Sequence, residues 1–176
     1  MTAVLVTGMS GTGKSTLLAE LARRGHAAVD TDEGGWIVDV PQADGSTEPL
    51  WDEARISRLL DEHAGRTLFL AGCVANQGRF YPRFHAVVLL SAPEDVMLER
   101  LATRTTNAFG KAEDDRRAIL RDLRAVEPVL RAGAGVEIDT RAPLAEVADR
   151  LEGLAREPGH QTRRARAGGP PDHDGS

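Results

Sequence analysis

The chain alternates short apolar runs with stretches of helical period. Ala3-Val-Leu-Val6, Ala27-Ala-Val29, Thr67-Leu-Phe-Leu70, Ala86-Val-Val-Leu-Leu90 and Val136-Glu-Ile138 are brief and nearly continuous in apolar character. Runs of this kind predict strands buried on both faces. Between them, residues 14–24 place Leu17, Leu18 and Leu21 along one helical face. Residues 52–63 do the same with Ile56, Leu59 and Leu60, and Asp52 stands where an N-cap belongs. Residues 93–103 predict a helix with Pro93 in its first turn. Residues 114–131 are largely helical, with Pro128 predicting a kink or break, and residues 143–154 make a last helix. Strands separated by helices predict a five-stranded parallel sheet covered on both faces, a three-layer α/β/α architecture. Residues 36–51 break the alternation. Trp36-Ile-Val-Asp-Val40, the pair Asp44-Gly45 and Pro49-Leu-Trp51 suit a small hairpin or an ordered loop.

Composition narrows the class. The chain has 176 residues, one cysteine and a formal net charge of −5. That length suits one domain with a core that needs no disulfide or metal staple. A single cysteine excludes an internal disulfide framework and a Cys-rich zinc site. No apolar run approaches the length of a membrane span. The N-terminal residues lack a basic n-region and a long h-region, so a cytoplasmic location without a signal peptide is expected. The acidic balance argues against nucleic acid as a partner. Residues 157–176 contain no Val, Leu, Ile, Met or aromatic residue and are expected to form a disordered tail, leaving 1–156 as the folded unit.

One segment carries chemistry directly. Gly8-Met-Ser-Gly-Thr-Gly-Lys14-Ser15 matches G-x-x-x-x-G-K-[ST], between an apolar strand and an amphipathic helix. Glycines let backbone N–H groups curl around phosphate oxygens, and the helix N-terminus adds its positive dipole end. In this P-loop the amides of Gly8, Met9, Ser10, Gly11, Thr12, Gly13, Lys14, Ser15 and Thr16 are expected to bind the phosphates of ATP. Lys14 would reach the β- and γ-phosphates, and the Ser15 hydroxyl would bind Mg²⁺. Only two lysines occur in the chain, Lys14 and Lys111, and one of them falls here.

With that motif in place, the chain resembles the small P-loop kinases of the shikimate kinase and gluconate kinase branch. The resemblance covers about residues 1–156. It rests on the P-loop, on Asp30-Thr31-Asp32 after the second strand, on Leu70-Ala-Gly-Cys73 after the third, and on Ile138-Asp-Thr-Arg-Ala-Pro143. It implies a P-loop NTPase fold with a five-stranded parallel sheet and a short lid, ATP with Mg²⁺, and a small acceptor bearing a hydroxyl. It also implies roles. Asp30 would lie near the metal, and Asp32 would contact the acceptor hydroxyl as base or orienter. Arg141 and Pro143 would flank the adenine. Two carboxylates at the C-terminal end of a parallel strand also face the crevice where such sheets bind ligands. Phosphoryl transfer calls for cations and exclusion of water. Arg100 and Arg104, with Lys111 as a weaker second, enter a polar segment suited to a lid at about 104–115.

The match has gaps. Shikimate kinases carry an arginine for the substrate carboxylate at the position held here by Val126, two residues before Pro128. Shikimate is therefore not the expected acceptor. The acceptor-side segment is expected at about 33–60, where Trp36 and Trp51 make either a stacking surface or a satellite core. Asn76, Gln77, Arg79 and Tyr81 would line the acceptor pocket or form a surface loop. Cys73 is expected to be a small buried residue rather than a nucleophile. His26, His63 and His85 show no metal-ligand spacing. The expected partner is a small-molecule acceptor, with neither nucleic acid nor membrane, and the chain a monomer or homodimer. Two other readings stay open: a nucleotide-binding regulator or NTPase acting on a protein partner, and a nucleoside or nucleotide kinase.

Overall fold

Each of the five apolar runs becomes a strand in the computed structural model, which describes residues 2–103 and 113–158. In chain order the elements are β1 (Thr2–Thr7), α1 (Lys14–Arg23), β2 (Ala27–Asp30), β3 (Ile37–Pro41), β4 (Thr47–Trp51) and α2 (Glu53–Glu62). There follow β5 (Thr67–Ala71), a 3₁₀ helix (Gln77–Arg83), β6 (Ala86–Ser91), α3 (Glu94–Thr103), α4 (Glu113–Gly133), β7 (Val136–Asp139) and α5 (Leu144–Arg156). Five strands pair in parallel in the order β2-β5-β1-β6-β7. Central β1 therefore has β5 on one side and β6 on the other, so the loop that leaves it opens into the crevice at the C-terminal ends of the strands.

Alternation along β1 sorts the core into two layers. Val4 and Val6 point to one face, where they join Leu17, Leu21, Phe69, Val88 and Leu151 beneath α1 and α5. Ala3 and Leu5 point to the other, with Trp51, Ile56, Leu60, Phe80 and Phe84. The cap expected at Asp52 is present: its carboxylate accepts the Arg55 N–H at 3.1 Å.

One open alternative is settled and two expectations are revised. The 36–51 segment is a hairpin, with β3 and β4 antiparallel. Gly45 turns it at φ +84°, a conformation open to glycine. Pro128 does not break α4, which runs through it to Gly133. Pro128 is exposed, and buried Leu123 and Leu130 hold the helix down on either side. Residues 113–115, placed in the lid, are the first turn of that helix; the rest of that segment, 104–112, lies outside the described residues.

The hairpin is tied to the sheet by polar contacts. The Asn76 side chain accepts the Trp51 N–H at 3.0 Å and donates to the Trp51 carbonyl at 3.1 Å, as a neighbouring strand would. The Trp51 indole N–H donates to Thr31 Oγ1 at 2.9 Å, and that hydroxyl donates to the Ala71 carbonyl at 2.8 Å. Gly72 sits under this knot. A Cβ there would lie 2.7 Å from Trp51 Cζ2 and closer still to Thr31 Oγ1. Both neighbours are buried to 1% exposure and have no room to retreat. Gly72→Ala is therefore expected to destabilise the fold by about 1–3 kcal/mol. A urea titration checks it, and an unchanged midpoint would contradict the packing described.

Charge pairing sets an acid limit. Arg24, the C-cap residue of α1, bonds Glu20 at 2.8 Å, Asp149 at 2.6 Å and Glu152 at 3.1 Å, joining α1 to α5. Hydrogen bonds from Arg23 and Arg24 hold the Glu20 carboxyl down at about 2. Glu152 is likewise held low by His26, with Arg24 assisting, and Glu137 by Arg131. A depressed folded pKa contributes stability that is present above the unfolded value of about 4.3 and fades as pH falls through the folded value. The urea midpoint should thus decline steadily as pH falls below about 4.3. A midpoint flat from neutrality down to pH about 3 would contradict these pairings.

Candidate functional site

The loop between β1 and α1 is shaped by its glycines. Gly8 has φ +151°, and a Cβ on it would stand 2.6 Å from the Leu90 carbonyl oxygen. Gly13 caps α1 at φ 95°. Thr12, fully buried, donates its hydroxyl to the Met9 carbonyl at 2.7 Å and closes the loop on itself. The first N–H groups of α1 then face outward from the crevice floor, where the helix dipole favours an anion.

Four charged or polar groups meet at this floor. Lys14 Nζ donates to the Gly8 carbonyl at 2.5 Å and the Met9 carbonyl at 3.1 Å, lying along the loop. The Ser15 hydroxyl donates to Asp30 Oδ2 at 2.7 Å. Asp30 Oδ1 accepts the Asp32 N–H at 3.1 Å, so the two carboxylates share one turn at the end of β2. Asp32 stays accessible to solvent, but its surroundings in the concavity raise its carboxyl above the ordinary range; Lys14 opposes the rise and Asp30 adds to it. Cys73, after β5, lies within the same field: burial pushes its thiol up, while Lys14 and a hydrogen bond to Thr7 pull it down.

Cavities open on both sides of this group. One, of ≈370 Å³, is walled by Gly11, Gly13, Thr16, Arg100, Thr140 and Val147. Arg100 donates to Thr140 Oγ1 and to the Thr140 carbonyl, both at 2.8 Å, and to the Gly11 carbonyl at 3.3 Å. It thereby ties α3 to the P-loop and to the loop after β7. The other chamber, of ≈710 Å³, has Met9 and Cys73 at the P-loop end. Its walls come from the hairpin, from residues 73–81 and from one side of α4.

The other expected site residues have varied surroundings. Arg141 turns onto Asp139 in its own turn, at 2.6 Å, and its neighbours Thr140, Ala142 and Leu144 line the smaller cavity instead. Pro143 serves as the N-cap residue of α5, its carbonyl accepting the Val147 N–H at 3.1 Å. Of the four residues considered for an acceptor pocket, Gln77 and Tyr81 line the larger chamber and bond to each other at 2.9 Å. Asn76 is buried in its structural role, and Arg79 pairs with Glu53 at 2.7 Å. Trp51 belongs to the core, and Trp36 lies under the Arg55 guanidinium at 4.6 Å. Arg104 and Lys111 lie outside the described residues. Sequence reasoning missed Glu48 and Asp122 in the larger chamber. A signal existed for Asp122, since Asp122, Ala125, Val126 and Val129 repeat at helical spacing.

The groups fit a nucleoside triphosphate with its metal. The P-loop offers amides and an ammonium, and the cavity beside it has room for a nucleoside. Ser15 and Asp30 place two oxygens together at the loop, too few to hold Mg²⁺ without phosphate or water oxygens. Among the described residues, no group of three or more His, Cys, Asp or Glu is placed to hold a metal without such help.

The AAA domain family model matches residues 4–121. No curated protein matches the chain. Among solved structures, a shikimate kinase from Acinetobacter baumannii in complex with shikimate aligns over 88% of this chain and 92% of its own, with TM-score 0.57 and 20% identity. A shikimate kinase from Bacteroides thetaiotaomicron aligns over 87% and 97%, with TM-score 0.58 and 19% identity. A sugar kinase from Janibacter sp. HTCC2649 aligns over 88% and 94%, with TM-score 0.51 and 22% identity. At these identities the likeness is one of fold: a five-stranded parallel sheet with flanking helices, as in the P-loop kinases. Among the described residues, no helix is long and apolar enough to cross a membrane.

Proposed function

Because the chain belongs to the AAA domain family, a family of P-loop proteins, we propose that it is an ATP- and Mg²⁺-dependent kinase of a small molecule bearing a hydroxyl. One observation carries the proposal. Lys14, Ser15, Asp30 and Asp32 stand together at the crevice floor, and a chamber on either side offers separate room for nucleotide and acceptor. Bound Mg-ATP supplies the phosphoryl group: the acceptor oxygen bonds the γ-phosphorus, the bond from that phosphorus to the bridging oxygen breaks, and ADP leaves with the electron pair. The loop amides from Gly8 to Thr16 bind phosphate oxygens. Lys14 offsets their charge, and Ser15 with Asp30 holds the metal. Asp32 takes the hydroxyl proton. Its raised pKa makes it a stronger base than an ordinary carboxylate. Arg100 fixes the wall of the nucleotide cavity, and Arg104 completes the cation set from the segment 104–115. Residues 1–156 would make up the kinase domain, with 33–60 on the acceptor side.

Val126 lines the larger chamber, and no arginine, lysine or histidine does so among the described residues. This favours an acceptor other than the shikimate bound in the Acinetobacter structure. The test is ADP release with Mg-ATP, alone and with pools of sugars, sugar acids, nucleosides and amino alcohols, using Lys14→Ala as the blank. Stimulation by one pool, lost in the variant, is the expected result. Stimulation by a protein partner and by no pool would support a regulatory ATPase instead.

A further inference from the structure

The larger chamber has a charge pattern of its own. Met9, Pro49, Val74, Val126 and Val129 give it an apolar lining. Val129 is 70% exposed and Val126 36%, so this part of the apolar lining is open to solvent. The charged groups in the lining are two carboxylates, Glu48 on the hairpin and Asp122 on α4, and no cation lines the chamber among the described residues. Lys14, whose field reaches Cys73 at the mouth, is assigned to the phosphates.

Arginines occupy some of the surface carboxylates but not all of them. Glu20, Glu53, Asp61, Glu94, Glu137 and Glu152 each bond an arginine. Glu48 and Asp122 have no such partner among the described residues. Two carboxylates in the lining of an apolar concavity, Glu48 half-buried and Asp122 exposed, attract a cation and repel an anion. A volume of ≈710 Å³ falls within the usual range for a small-molecule site.

We propose that this chamber binds an alcohol with an apolar body and a positively charged amine, Glu48 and Asp122 receiving the ammonium. Its role as the phosphoryl acceptor rests on the kinase assignment above; its selectivity for a cation does not. On that assignment the amino alcohol and ATP give a phosphate monoester and ADP. The alcohol oxygen gains phosphorus, its proton passes to Asp32, and the ammonium is unchanged.

Cys73 makes the chamber measurable, because it is the chain's one cysteine and lies in the lining. The full-length chain with Mg-ADP is treated at neutral pH with an uncharged methanethiosulfonate reagent, and Cys73 modification is followed by mass spectrometry. Three probes share a phenyl-bearing alcohol: 2-amino-1-phenylethanol, 1-phenylethane-1,2-diol and mandelate. The amine is expected to protect Cys73 at about tenfold lower concentration than mandelate, with the diol between. Glu48→Gln with Asp122→Asn should erase that preference while leaving the thermal midpoint in place. Asp122→Lys should move it toward mandelate. Equal protection by amine and carboxylate, no protection by the amine, or a preference that survives Glu48→Gln with Asp122→Asn would overturn the proposal. ADP release with Mg-ATP and the same probes reads the kinase assignment separately. Selective protection with no turnover of these probes would leave the chamber's preference standing, with the kinase assignment still decided by the acceptor pools above.

Discussion

Lys14→Ala is expected to lower phosphoryl transfer by about 10²- to 10³-fold or more, the usual cost of removing a group that meets charge developing in the transition state. The effect should be large because Lys14 is the one lysine at the P-loop. Its ammonium lies along the loop at the Gly8 and Met9 carbonyls, within reach of whatever the loop amides hold. The fold should survive, since Lys14 is only partly buried and the loop closes through Thr12 and Met9. Circular dichroism and turnover measured on one preparation check both parts. A variant that folds and turns over at the parent rate would remove Lys14 from the mechanism.

Asp32→Asn should lower kcat by about 10²- to 10⁴-fold, the range for loss of a positioned general base. Nucleotide affinity should change little. The separation follows from the turn at the end of β2, where Asp30 bonds Ser15 while Asp32 reaches Lys14 and Cys73 through its field. The parent enzyme should also lose activity as pH falls through the Asp32 pKa, because the carboxylate form accepts the proton. That inflection should sit above the ordinary carboxylate value of about 3.9, since the surroundings raise this group. Asp32→Asn should lose the inflection along with the rate. An equal loss of kcat and of ATP affinity would instead place Asp32 with the phosphates or the metal.

Much of the fold is legible in the chain because its signals are local. The five apolar runs are short and nearly unbroken, and the leucine spacings of α1 and α2 carry the helical period to their faces. Asp44-Gly45 marks the hairpin turn through the backbone freedom of Gly45. The 3₁₀ helix at Gln77–Arg83 was hidden, since Gly78 and Pro82 interrupt any period. Of the kink or break expected at Pro128, the break does not occur: burial of Leu123 and Leu130 outweighs the hydrogen bond that proline forfeits.

The site divides the same way. The P-loop is legible because its motif lies in eight adjacent residues, 8–15. The partner of Arg141 is a local one that the resemblance did not point to: Asp139, two residues away, accepts its guanidinium N–H at 2.6 Å. Thr31 looked incidental between two aspartates, yet it anchors Trp51 to the end of β5. Glu48 and Asp122 escaped notice because they are far apart in the chain and share the lining of one chamber only in the fold.

The central claim is transfer to a small molecule rather than to water or protein. It is tested most directly with ATP labelled in the γ-phosphate, incubated with the chain, Mg²⁺ and an acceptor pool that stimulates ADP release, and resolved into small-molecule, inorganic phosphate and protein fractions. The expected result is label in a new phosphate monoester, in step with ADP, and absent with Lys14→Ala. Label confined to inorganic phosphate or to protein would contradict it.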